Sequence, residues 1–253
     1  MVYTKDKLDV LGICVIIPTY NNDKTIKTVI DSCLEMTRSL IVVNDGSTDN
    51  TDEILRSYRH NEIDIVSYAI NKGKGYALKR GFEYARSKSY RYAITIDADG
   101  QHFASDIPLF IGEVEKNPNA LIVGSRFLNA ENMPRQNSFA NKFSNFWFTV
   151  QTLQSVPDTQ TGFRLYPLEK MGRMWWMTSR YEAELEMLVY AAWHGVKIIS
   201  TPINVYYPDP DKRISHFRPF MDFFRISVLN TILCFLAICY GGPRMLINNL
   251  FGK

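Results

Sequence analysis

The sequence predicts an α/β fold with a mainly parallel sheet flanked by helices. Three observations carry that reading. Short, unbroken apolar runs alternate with stretches whose apolar residues recur at helical spacing. The runs CVII, LIVV and AITI have the continuous apolar character of strands buried on both faces of a sheet. Four of the runs end in polar clusters, and parallel sheets bind ligands beyond the carboxyl ends of their strands.

The elements follow in order. Residues 13–19 are β-rich and apolar, a first strand. A helix is expected over 25–36, where Ile26, Val29, Ile30, Cys33 and Leu34 fall on one stripe. Strands are expected at 40–43, 63–69, 92–96 and 121–123, with helices at 51–58, 75–87 and 107–115 between them. Ala77, Leu78, Phe82 and Ala85 form the inner stripe of the helix over 75–87. The second half is less regular: a helix over 184–193, a strand pair or one long strand over 196–205, and a loop bracketed by Pro208, Pro210 and Pro219. An apolar segment over 220–240 follows, with Gly241-Gly242-Pro243 expected to stop it.

The 253 residues, 46% hydrophobic and 22% charged, suit a globular chain and exclude a disordered, collagen-like or multi-pass membrane protein. A net charge of +3 argues against a nucleic-acid partner. Residues 201–253 hold six cations against three carboxylates, so the whole excess lies beside the most apolar stretch. Such a tail predicts an anionic membrane surface as partner. Cys14, Cys33, Cys234 and Cys239 show no metal spacing and read as reduced thiols of a cytoplasmic protein. The first residues show no apolar leader, so no signal peptide is expected.

Chemistry concentrates at the strand ends. Asp97-Ala98-Asp99 sets two carboxylates at the mouth of an apolar strand, with Gln101 at the next alternate position. Hard cations such as Mg²⁺ and Mn²⁺ share carboxylates with substrate phosphates. The remaining clusters are Ile16-Ile17-Pro18-Thr19-Tyr20-Asn21, Val43-Asn44-Asp45-Gly46-Ser47-Thr48-Asp49, Asn71-Lys72-Gly73-Lys74-Gly75, Gly124-Ser125-Arg126-Phe127, Thr161-Gly162-Phe163-Arg164 and Arg213-Ile214-Ser215-His216.

In this order the set resembles the family-2 glycosyltransferases of the GT-A fold, and among them the polyprenyl-phosphate mannose and glucose synthases. The resemblance covers residues 12–220. It implies an inverting, metal-assisted transfer of a hexose from a nucleotide sugar to a polyprenyl phosphate at the cytoplasmic membrane face. Pro18, Thr19, Tyr20, Asn21, Asp45, Lys72, Gly73, Asp97 and Ala98 would bind the nucleotide sugar. Asp97, Asp99 and Gln101 would hold Mg²⁺ or Mn²⁺. Arg126 and Arg164 would touch the reacting groups, and Arg135, Arg213, Ser215 and His216 the acceptor phosphate, since Arg matches phosphate geometry. His216 stands where the family commonly carries a lysine. Read by themselves, Lys72 and Lys74 are surface lysines. The resemblance divides the chain into a catalytic domain over 1–218, with a nucleotide-sugar half to about 125 and an acceptor half from 126, and a tail over 219–253.

Two alternatives remain. A hydroxyl acceptor would need a base, and Asp158 leads Glu182 and Glu184 for that role because it precedes the Thr-Gly-Phe-Arg element. The tail helix could instead pack on the domain. Its uncharged core, 226–240, would be about 22 Å long, short of a bilayer's roughly 30 Å, so an interfacial rather than a spanning helix is expected. A dinucleotide oxidoreductase is disfavoured because no glycine fingerprint follows the first strand.

Overall fold

The alternation along the first strand organises two cores. The computed structural model describes residues 2–59, 62–126, 135–172, 176–207 and 219–251. In β1 (Ile13–Thr19), Cys14 and Ile16 point to one face of the sheet, and Ile13, Val15 and Ile17 to the other. The period of two along a strand dictates that split.

Seven strands form one sheet in the order β3-β2-β1-β4-β6-β5-β7. The others are β2 (Leu40–Asp45), β3 (Asp64–Tyr68), β4 (Tyr92–Thr95), β5 (Leu121–Arg126), β6 (Arg164–Pro167) and β7 (Ile198–Ile203). All pairings are parallel except those of β6, which runs antiparallel between β4 and β5. The carboxyl ends of the other six strands therefore share one edge with the start of β6. The strand order reverses beside β1, the position where sheets of this kind open a crevice.

Helices cover both faces. One core packs α1 (Val2–Leu11), α2 (Ile26–Met36), α3 (Thr51–Arg56) and α5 (Ile107–Lys116) against the sheet. The other packs α4 (Lys74–Ser87), α6 (Arg135–Thr152), α7 (Leu168–Met171), α8 (Glu182–Trp193) and α9 (Pro219–Leu236). A π turn, Ala237–Gly241, joins α9 to α10 (Gly242–Phe251).

Three differences from the sequence reading have physical causes. β6 is only Arg-Leu-Tyr-Pro, too short and mixed for a periodic signal; ladders on both sides define it. Residues 196–205 form one strand, β7, trimmed because Asp106 captures the backbone N–H of Asn204 at 2.7 Å and its side-chain amide at 3.0 Å. Gly241-Gly242-Pro243 does not stop the tail helix. Pro243 falls in the first turn of α10, where no backbone N–H is required, and the wide π turn absorbs the irregularity.

Gly241 is there for contact. A Cβ at this position would lie 2.3 Å from the Trp193 ring. Gly241→Val should therefore lever the tail away from α8 and cost about 1–3 kcal/mol, as overpacking does. Thermal unfolding measures it, and an unchanged Tm would contradict this packing.

Candidate functional site

Two of the strand-end clusters meet at a single ammonium. Lys74, first residue of α4, bonds Asp97 at 2.6 Å and Glu184 at 2.8 Å. A cation in the first turn of a helix opposes the helix dipole, so it needs such partners. That conflict was the readable sign that Lys74 is no surface lysine. Burial alone would raise the Asp97 carboxyl, but Lys74, with smaller help from Arg164, holds it below its ordinary value.

Asp99 feels Lys74 only weakly. Its Oδ1 accepts the Gln101 backbone N–H at 3.0 Å, and among the described residues no lysine or arginine pairs with it. Burial, then the Asp97 charge, push its carboxyl up to about 6. Asp97, Asp99 and Glu184 thus share one ammonium, and the cluster is short of positive charge. His102 supplies none: burial pushes it down to about 4, and its ring packs at a tilt against Phe163, with centroids 5.5 Å apart.

The expected nucleoside wall is assembled by loop-to-loop bonds. Pro18 and Thr19 end β1 in buried positions. Asn21, at φ 52°, receives the Thr48 N–H at 2.7 Å and donates its own N–H to Ser47 at 3.0 Å. Tyr20, half-buried, donates its N–H to Asn22. The Ala98 carbonyl accepts from Thr25 at 2.7 Å. Asp45 is 2% exposed and accepts from the Lys72 N–H, the Gly73 N–H and the Asn71 amide at 2.8, 2.8 and 3.0 Å. Its first structural task is to order the 71–73 loop. Lys72 is exposed and lies over the Tyr76 ring.

Gly73 and Gly75 do permit a close approach, but to the protein itself. Gly73 adopts φ 98°, and a Cβ there would lie 2.6 Å from the Ser179 carbonyl; one on Gly75 would lie 2.3 Å from the Ala183 side chain. Segment 176–180 is held in turn by the fully buried Glu186, whose carboxylate takes the Met177 N–H, the Thr178 N–H and the Thr178 hydroxyl.

On the neighbouring strand, Arg126 ends β5 and is gripped by Asp158 through two side-chain bonds of 2.6 and 2.9 Å. Asp158 is fully buried and also accepts the Arg126 and Gln160 N–H groups. Burial would raise its carboxyl; Arg126 outweighs that and holds it low. The Asp158 carboxylate, where a base was expected for a hydroxyl acceptor, has its lone pairs engaged here and anchors Arg126. Arg164 is fully buried and donates to the carbonyls of Thr161, Glu184 and Thr159 and to the Tyr166 hydroxyl, joining these elements from within.

Arg135 begins α6. Arg213, Ser215 and His216 lie outside the described residues. The chain leading toward them is described, and it is sewn to the acidic loop. Tyr206 donates its N–H to the Gln101 carbonyl at 2.8 Å, Val205 bridges to His102, and Asn204 is held by Asp106. Sequence reasoning missed Asp106, which carries no local signal because its partner lies 98 residues away.

Removing the ammonium should leave Asp97 and Glu184 buried without a counter-charge. Lys74→Met is expected to cost about 3–5 kcal/mol, a fall in Tm of roughly 10 °C. A variant melting with the parent protein would show that the triad carries no such weight.

Comparisons with known proteins agree with this architecture. Residues 14–173 match the family model of glycosyl transferase family 2. The UDP-N-acetylglucosamine–dolichyl-phosphate N-acetylglucosaminyltransferase of Methanococcus voltae is 30% identical over 217 residues, covering 78% of this chain and 86% of that one. Human dolichyl-phosphate beta-glucosyltransferase is 26% identical over 216 residues, 75% of this chain and 66% of that one. The fold is similar to that of glucosyl-3-phosphoglycerate synthase from Mycobacterium tuberculosis, crystallised with Mn²⁺ and UDP-glucose, at a TM-score of 0.67 and 19% identity over 94% of this chain and 82% of that one. The chain carries the GT-A architecture, is a glycosyltransferase, and belongs to glycosyl transferase family 2.

Proposed function

We propose that this enzyme moves a hexose from a nucleotide sugar to a polyprenyl phosphate, with inversion at the anomeric carbon, at the cytoplasmic face of a membrane. The observation that carries the reading is the charge-deficient cluster of Asp97, Asp99 and Glu184 around Lys74 at the strand ends. The relatives named for dolichyl-phosphate acceptors support the acceptor class.

The cluster fits a divalent cation. Among the described residues no group of three or more His, Cys, Asp or Glu side chains forms a closed metal cage. Mg²⁺ and Mn²⁺ do not require one when substrate phosphates complete their shell. Asp99, with Asp97 and Gln101 beside it, would hold the ion, which when bound offsets charge developing on the leaving diphosphate. Lys74 keeps Asp97 ionised and in place. Asp158 keeps Arg126 in a fixed fork suited to a phosphate oxygen. The acceptor oxygen forms its bond to C1 of the sugar as the bond from C1 to the diphosphate oxygen breaks. A phosphate monoester, with a second pKa of about 6, is already anionic and needs no base. This agrees with an Asp158 that has no lone pair to offer. A hydroxyl acceptor would instead fall to Glu182, whose Oε2 is buried without a partner.

The test supplies vesicles containing polyprenyl phosphate, Mn²⁺ or Mg²⁺, and each radiolabelled nucleotide sugar in turn. Label in a lipid that mild acid releases is expected from one donor. Metal-dependent donor binding without lipid labelling would overturn the phosphate acceptor. A second measurement tests Asp99. Its carboxyl is raised to about 6, so protons compete with the cation below that pH. The affinity for Mn²⁺ with a nucleoside diphosphate should fall roughly tenfold per unit below pH 6 and level off above 7. Calorimetry showing no change between pH 5 and 7 would remove Asp99 from this role.

A further inference from the structure

We infer that α6 is a second membrane-contacting element, forming with α9 and α10 one face that lies flat on an anionic bilayer. The inference rests on the lipid-acceptor reading above. The segment Phe224–Asn248 is a 25-residue helix with a mean hydropathy of 1.7, only 22% of it buried. By length and composition it would cross a membrane, which corrects the expectation that it is too short. Its contacts argue for the flat arrangement. Leu229 and Leu233 are buried in the core, Asn230 accepts from the Gln151 amide at 3.0 Å, and Asn248 donates to the Trp193 carbonyl at 3.0 Å. One side of the helix is thus bound to the catalytic domain over at least residues 229–248.

The opposite side is apolar and uncovered. Phe224, Val228, Ile232 and Phe235 follow one another on α9, with Leu246 and Leu250 continuing on α10. Both α6 and α9 pack on α8 and on each other, so their outer sides face away from α8 together. That outer side of α6 shows Phe146, Val150 and, just past its end, Leu153, which is 84% exposed. The charges select the occupant. Across α6, α9 and α10, residues 135–152 and 219–251, four cations, Arg135, Lys142, Arg225 and Arg244, stand against one carboxylate, Asp222. An apolar face with that cationic excess suits an anionic lipid surface. The same helix reaches the acceptor side of the site. Asn145 donates to the Pro157 carbonyl at 2.6 Å and accepts the Thr159 N–H at 3.0 Å, holding both neighbours of Asp158.

The test labels single cysteines with a polarity-sensitive fluorophore. Val150→Cys, Leu153→Cys and Phe235→Cys are made in a Cys239→Ser background, with Leu109→Cys on α5, across the sheet, as control. Phosphatidylcholine vesicles with and without anionic phospholipid are added to the full chain. A several-fold rise in emission with a blue shift is expected at 150, 153 and 235, larger with anionic lipid, and none at 109. A response at 235 alone would overturn the role of α6 and leave membrane docking by the tail intact. No response at any position would overturn both. A shifted emission before vesicles are added, with a dimeric mass by light scattering, would assign the face to a second copy of the chain and overturn the inference.

Discussion

The bonds from Lys74 to Asp97 and Glu184 hold three separately folded pieces in register. Lys74 opens α4, Asp97 follows β4, and Glu184 lies in the first turn of α8. Each partner depends on the others. Without the carboxylates the cation would sit against the positive end of a helix; without the cation two carboxylates would sit largely desolvated. The surroundings are shaped to keep the contact. Gly73 and Gly75 let the 179–183 segment close on α4, and Glu186 ties down the turn that precedes it. Placement of Asp99, whose backbone continues from Asp97, follows from the same knot.

A comparable division of labour marks the other acidic groups. Asp45, Asp106 and Asp158 all direct their oxygens at backbone N–H groups or fixed side chains of the protein. Asp99 differs: it accepts the Gln101 N–H, among the described residues no cation pairs with it, and burial beside Asp97 raises its carboxyl.

The apolar strands and the order of the motifs were legible in the sequence, because continuous apolar runs and strand-end polar clusters are local patterns. The placement of Thr19, Asp45, Asp97 and Asp99 at strand ends was legible for the same reason: all four end or follow such runs. What escaped depends on partners distant in the chain. Arg164 and Asp158 were expected to serve a substrate because one lies in the Thr-Gly-Phe-Arg element and the other precedes it. Only the fold reveals that Arg164 points inward at carbonyls and that Asp158 faces Arg126, 32 residues earlier in the chain. α1 and α6 have weak periodicity, and Gly241-Gly242-Pro243 looks like a stop until Trp193 is placed against it.

The stitches between 204–206 and the loop over 101–106 have a thermodynamic reading. Ordering a chain segment costs conformational entropy, and two segments bonded to one another share that cost. A ligand that fixes Gln101 also fixes Tyr206 through their 2.8 Å bond. A second ligand that touches the 204–206 segment would then lose less entropy on arrival. Two ligands, one on each segment, would be cooperative without touching one another, and by linkage each would strengthen the other equally.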